Sequence, residues 1–448
     1  MRFRPLAVLA LLTMPLAAHS QARTAARTPA LAPGAWLVGI AARGDTTWMS
    51  LTLRVTGDSV FGDMGARAPI ALRGTLRRDT LSLVELWDSV NVRTRFRAVV
   101  KDGRFVGQAL GTKKGSAAFV DTAAWIGSAS PVRPGPARTI TFEPTTLYRV
   151  FSAGIAPVAR IFPGDTVRTR TVDATGADWN GVQRSAGGNP ETGPFYVEGA
   201  MPGDVVAIHL HKVRLNRDYA SAGTNLIGSA ITPGLARALP DVPAFNGRWA
   251  LDRARGVARL ASPTAALAAY EIPLRPMLGC IGVAPSRGQA IRTSDSGPFG
   301  GNMDYNELRE GTTVYLVVNV PGALIYVGDG HAAQGDGELT GDALETSMDV
   351  EFSVDVDRTM QISTPRAESS DYLMSIGIAG DLQESLRLAT SDLTRWLMAS
   401  YKLNSAEVAS VLGTAVRYDV ADLVGTQMSI VAKVPKAALA KLAGAAAR

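Results

Sequence analysis

The chain has 448 residues, 46% apolar and 19% charged, with a formal net charge of +6. That length and balance allow more than one buried core and make disorder an unsuitable default. The basic residues are scattered without a patch or recognition motif, so no nucleic-acid partner is expected, and a single cysteine, Cys280, excludes an internal disulfide framework.

The chain opens with Arg2 and Arg4, an apolar run from Leu6 to Leu12, and small residues at Ala17, Ala18 and Ala22. This is the composition of a secretory signal peptide over residues 1–22, cleaved after Ala22, because the apolar run is too short to span a bilayer. Loss of Arg2 and Arg4 lowers the net charge from +6 to +4. The expected location is secreted or periplasmic, with no stable membrane association after cleavage. Residues 23–34, rich in Ala, Pro, Thr and Arg, read as a tether.

Residues 35–126 carry short alternating runs, including Met49 to Val55, Leu81 to Leu86 and Phe96 to Val100, separated by Gly-Asp, Arg-Asp and Asp-Gly turns. The pattern predicts a small antiparallel β domain, a barrel or a sandwich. It holds no histidine and no acidic cluster. We read it as an accessory or dimer-forming unit, with a homodimer the expected assembly. Residues 127–138, punctuated by Pro, Gly and Ser, read as a linker.

Residues 139–448 form the expected catalytic domain. Pro163-Gly164-Asp165 and Pro202-Gly203-Asp204 each open an alternating strand, which predicts a mainly β fold, a jelly-roll-like β-sandwich. Near the C-terminus the period changes to that of helices. Leu382, Leu386, Ala389, Leu393, Trp396 and Leu397 share one side of a helix over about 381–401. A second helix starts at Ser405, whose side chain can cap it, and turns Val408, Val411, Leu412 and Ala415 inward. A last strand over 428–434 follows this helical pair.

One run has no core-building content. Gly328-Asp329-Gly330-His331-Ala332-Ala333-Gln334-Gly335-Asp336-Gly337-Glu338 packs three carboxylates, an imidazole and an amide among Gly and Ala. Small residues let backbone approach a ligand, and Asp, His and Glu supply donors for a hard or borderline ion. The run follows two apolar strands within 314–327 joined by Pro321-Gly322. Upstream, Phe299-Gly300-Gly301-Asn302-Met303-Asp304 repeats the formula of small residues around polar donors, so the two segments read as one constellation.

Beyond the signal the chain has three histidines: His209, His211 and His331. His331 sits inside the polar run and reads as a ligand or catalytic group. His209 and His211, two apart on a strand, project together as a zinc-binding His-x-His pair can, although the spacing also arises by chance; His209 is the member carried forward as a metal ligand. Cys280, flanked by Gly279, Ile281 and Gly282, suits a small buried hydrophobe. Ser286, Ser294 and Ser296 lie near the constellation in sequence but lack the Gly-x-Ser-x-Gly elbow of a serine hydrolase.

With these segments, the chain resembles the acetamidase/formamidase family. The matching segments run in order through Asn189-Pro190, Thr192 to Ala200 and Pro202 to Asp204, then Gly282 to Pro285, Gly301 to Asp304, and Gly328 to Glu338. The resemblance spans roughly 140–435 and implies hydrolysis of a small amide to ammonia and a carboxylic acid at a metal-dependent site. It adds Asp304 and Asp173 to His331, Asp329 and His209 as metal ligands, with zinc the expected ion and calcium the alternative. Glu338 and Asp336 are the expected catalytic carboxylates, Glu338 as proton shuttle. Asn302 and Gln334 suit an amide substrate or its tetrahedral oxyanion. The competing reading is a non-catalytic secreted β-sandwich that binds metal or carbohydrate.

Overall fold

The computed structural model describes residues 31, 33–42, 44–65, 68–86, 92–113, 119–240 and 247–442. The expected signal peptide over 1–22 and most of the expected tether lie outside them. The fold is mainly β, as expected. Eight antiparallel strands between Gly34 and Ala129 run in sequence order, and the first, Gly34–Ala42, closes on the last, Phe119–Ala129. Trp36, Phe96, Phe105 and Trp125 fill the barrel interior, so it is a packed core. Leu31, within the expected tether, is also buried there.

The stretch read as a linker is partly structured. Ala129 still belongs to the eighth strand, and Arg133 and Arg138 both pair with the buried Asp165 carboxylate, at 2.7 Å and 3.4 Å. Its composition signalled a break in the strand pattern, whereas these arginine contacts come from a distant turn.

Beyond it, nine- and eleven-stranded sheets share one core. Alternate residues Val206, Ile208 and Leu210 of strand Val205–Leu215 meet Leu278, Ile281, Ile325 and Val327 from the other sheet. Pro163-Gly164-Asp165 and Pro202-Gly203-Asp204 precede strands Thr166–Arg170 and Val205–Leu215. The two strands around Pro321-Gly322 are not a hairpin. Thr313–Val317 pairs in the nine-stranded sheet, and Ala323–His331 pairs in the eleven-stranded one, so the turn carries the chain between layers.

Helix Leu382–Tyr401 lies on the nine-stranded sheet, with Ala389, Leu393, Trp396 and Leu397 buried. Leu382 and Leu386 are exposed instead, because the buried face at that end is narrow and is taken by Ser385, which bonds Asp381 and Met428 carbonyls. The second helix, Ser405–Ala415, is capped by Asn404, not Ser405: the Asn404 side chain accepts from the Glu407 amide while Glu407 reaches back.

Candidate metal centre and active site

Strand Met277–Val283 lies between Ala323–His331 and Gly300–Asn302, with Met277 opposite His331 and Cys280 opposite both Gly328 and Asn302. A Cβ on Gly279 would lie 2.4 Å from Asp304 Oδ1, 2.7 Å from Asp329 Oδ2 and 2.9 Å from His331 Cε1. The missing side chain therefore provides the space in which these groups meet. Asp304, Asp329, Glu338 and the neighbouring Asn189 all have positive φ, from 41° to 53°. Such conformations are uncommon without glycine and are held here by the surrounding sheets.

The cluster lies buried below a polar cleft of about 370 Å³, which Asn189, Asn302, Asp304, Asp329, Glu338 and Glu345 help to line. His331 Nε2 is 3.1 Å from Glu345 Oε1, 3.4 Å from Asp329 Oδ1 and 4.0 Å from Asp304 Oδ1. None of these approaches makes a hydrogen bond to Nε2, and Asp304 Oδ1, Asp329 Oδ1 and Glu345 Oε2 are also buried without a partner. Buried polar atoms of this kind need a partner in a native interior, and a cation is one that they could share. Separations near those between zinc ligands, about 3.3 Å for 2.0 Å bonds in a tetrahedron, agree with that. Two triads can hold an ion, Asp304–His331–Glu338 and Asp329–His331–Glu345, with His331 common to both.

The electrostatics point the same way. Burial, with the Glu338 and Asp329 charges, holds the Asp304 carboxyl well above its usual range. Burial also raises Glu338, although His331 opposes it; it raises Glu345 to about 7 and Asp422 to about 6. Burial opposes a charge on His331, but the Glu345 and Asp329 carboxylates outweigh it and push the imidazole well above its ordinary value. Crowded carboxylates with one imidazole among them are relieved by a divalent cation.

His331, Asp329 and Asp304 thus come together as expected from their two segments. The other candidates divide. Gln334 is held by its neighbours: its amide donates to the Asp304 carbonyl at 2.5 Å and its oxygen accepts from His331 Nδ1 at 2.8 Å. Asn302 lines the cleft, but its amide oxygen accepts from Asn189 at 2.6 Å and its nitrogen donates to Asp304, so it orients carboxylates. Asp336 is exposed and accepts from Asn306 at 2.8 Å, outside the polar cleft, because the Gly335-Asp336 turn swings it outward.

His209 is elsewhere. On strand Val205–Leu215 its ring lies 2.9 Å from Thr313 Oγ1 and 3.1 Å from Asp355 Oδ2 on the outer face of the other sheet, and His211 pairs with Ser353 at 2.8 Å. The pair does project together, with ring centroids 6.4 Å apart, but its side of the strand faces away from the core. Asp173 is also structural: it closes its own turn with Thr175 and Ala177 and makes a buried 2.6 Å ion pair with Arg217. Cys280 is wholly buried, and burial with the nearby Glu191 raises its thiol well above its usual range. No serine hydroxyl reaches His331 among the described residues, since Nδ1 is held by Gln334 and Nε2 by no hydrogen bond.

Sequence reading missed Glu345, Asp422 and Asn189 as site groups. Glu345 follows the polar run by seven residues and returns on a two-residue strand beside His331. Asp422 comes from the far end of the other sheet, where Gly337 bridges to it. Asn189 did lie in a recognised segment, and its amide donates to Asp329 at 3.0 Å.

The Acetamidase/Formamidase family model matches residues 287–391, which include Asn302, Asp304 and the whole run from Gly328 to Glu345. Over those residues the chain is similar to the acetamidase/formamidase family. Solved acetamidases share its fold: that of Bacillus halodurans is 28% identical over 68% of this chain and 100% of its own, with a TM-score of 0.58. That of Yersinia enterocolitica is 26% identical over 69% of this chain and 95% of its own, with a TM-score of 0.59. A protein named as a formamidase in Schizosaccharomyces pombe is 51% identical over 41 residues, 9% of this chain and 10% of its own length. The matched share of this chain leaves about a third of it unmatched.

Proposed function

We propose that this chain is an exported, metal-dependent amidase that hydrolyses a carboxamide to a carboxylate and ammonia, with zinc as its ion. The observation that carries the reading is the set of buried, partnerless atoms Asp304 Oδ1, Asp329 Oδ1, His331 Nε2 and Glu345 Oε2, in side chains of which Asp304, Asp329 and His331 meet above Gly279. The family supports amide hydrolysis, and the Schizosaccharomyces pombe formamidase and the Bacillus halodurans acetamidase are named for small amides. One imidazole among carboxylates suits zinc better than calcium, which takes oxygen ligands throughout.

The ion, held by Asp304, Asp329 and His331 with Glu345 beside them, would supply Lewis acidity toward the carbonyl and toward water. The chain's own residues do the rest. Gln334 accepts from Nδ1–H, which leaves the Nε2 lone pair free toward the cluster. Asn189 and Asn302 fix the rotamers of Asp329 and Asp304. Glu338, lining the cleft with a raised proton affinity, takes the proton from water as its oxygen adds to the carbonyl carbon. It returns that proton to nitrogen as the C–N bond breaks, so ammonia leaves and the acid remains.

The reading predicts about one tightly held zinc per chain and ammonia release that a chelator stops and zinc restores. Calcium alone without turnover would instead favour the binding-module reading. Export is tested by N-terminal sequencing of the mature protein, expected to begin at Arg23; a start at Met1 contradicts it.

A further inference from the structure

Beside the polar cleft lies a larger one of about 600 Å³, and its lining is of the opposite chemistry. Trp249, Leu260, Leu267, Tyr270, Ile272 and Leu344 supply its walls. Trp249, Leu260 and Ile272 come from a three-stranded extension, Arg248–Asp252, Val257–Leu260 and Glu271–Pro273, added to the edge of the sheet that carries His331. The rings of Trp249 and Tyr270 meet edge to face, with centroids 6.2 Å apart. Such aromatic and aliphatic surface in a concave site is worth free energy only when covered.

The two clefts are neighbours. Glu338 and Asp342 line both, so the segment 338–342 borders each of them. A substrate that presents its carboxamide to the cluster can therefore carry its acyl substituent across Glu338 into the apolar cleft. Formamide and acetamide would leave this surface bare, since either fits wholly within the smaller, polar space. Resting on the amidase reading, we infer that the substrate is a primary amide with a large apolar acyl group, of the size of an aryl or long alkyl chain, seated against Trp249 and its neighbours. Hydrolysis is balanced by water alone: the C–N bond breaks, a C–O bond forms, and one water proton goes to the departing nitrogen.

The test uses the full chain with added zinc and follows ammonia from formamide, acetamide, butanamide, hexanamide and phenylacetamide. The expected kcat/KM rises about fourfold per added methylene up to hexanamide, the worth of burying one such group, and is high for phenylacetamide. Trp249→Ala should lower kcat/KM for phenylacetamide about tenfold or more, with acetamide turnover unchanged, which also shows that the variant folds. Leu260→Ala should act in the same direction. Calorimetric binding of phenylacetate, weakened in Trp249→Ala, gives a reading independent of turnover. If acetamide or formamide is turned over as well as the larger amides, this inference is overturned and the amidase reading stands. If no amide yields ammonia, both fall. A Trp249→Ala variant whose oligomeric state changes while the substrate ratios do not would assign the cleft to a second copy of the chain and overturn the inference.

Discussion

His331 Nδ1 lies 2.8 Å from Gln334 Oε1, and the same Gln334 amide donates to the Asp304 carbonyl at 2.5 Å. One side chain thus sets the imidazole tautomer and ties it to the segment that supplies a carboxylate. Gln334→Ala should leave the fold intact and lower zinc affinity about 10–100-fold, the usual worth of such a supporting bond. Titration calorimetry with zinc measures it, and wild-type affinity would deny Gln334 this role.

Gly279→Ala places a methyl group where Asp304 and Asp329 converge, at 2.4 Å and 2.7 Å from their oxygens. The carboxylates must separate to admit it. The variant is expected to keep a native circular dichroism spectrum, take up no zinc and release no ammonia; normal zinc content would show that the cluster is not the metal centre.

Glu338→Gln and His331→Ala should fail differently. The first removes the proton carrier and is expected to lower turnover by about two to four powers of ten with zinc retained. The second removes the ligand common to both triads and should lose the zinc itself. Metal analysis beside ammonia assays separates the two, and wild-type values in both would reduce the polar run to an elaborate turn.

The raised carboxyls make the metal-free protein sensitive to pH. Glu345 at about 7 and Asp422 at about 6 bind protons more tightly folded than unfolded, where Glu and Asp sit near 4, so each costs stability as pH rises through that interval. His331, also raised, contributes stability below its unfolded value of about 6.5 that is lost on rising through its folded one. All three have the same sign. The chelated protein should melt higher at pH 5 than at pH 8, and zinc should raise Tm more at pH 8. Equal melting across that range would contradict the crowding of charge described here.

His209→Ala should leave zinc content and ammonia release unchanged, since its partners are Thr313 and Asp355 on the outer face. Asp173→Ala, by contrast, strands the buried Arg217 guanidinium and should cost about 3–5 kcal/mol of stability. Chemical denaturation measures the second, and an Asp173→Ala protein of wild-type stability would refute the structural assignment.

The local parts of this protein are legible in its residues. Alternation and turn chemistry announce strands, so the mainly β class and the openings at Pro163-Gly164-Asp165 and Pro202-Gly203-Asp204 follow from spacing alone. The run from Gly328 to Glu338 stands out because it cannot build a core, and it does deliver Asp329, His331 and Glu338 to one place. What alternation does not encode is partnership between sheets. His209 has a ligand's chemistry and a ligand's spacing, yet which side of a strand meets a site depends on the layer beyond it. Asp173 became an anchor for Arg217 and Gln334 a brace for His331 because partners 44 and 3 residues away took up their hydrogen bonds. Glu345 and Asp422 joined the cluster for the converse reason. Each is an ordinary carboxylate in its own segment, and only the meeting of two sheet ends, with Gly279 leaving room between them, brings their charges within reach of one imidazole.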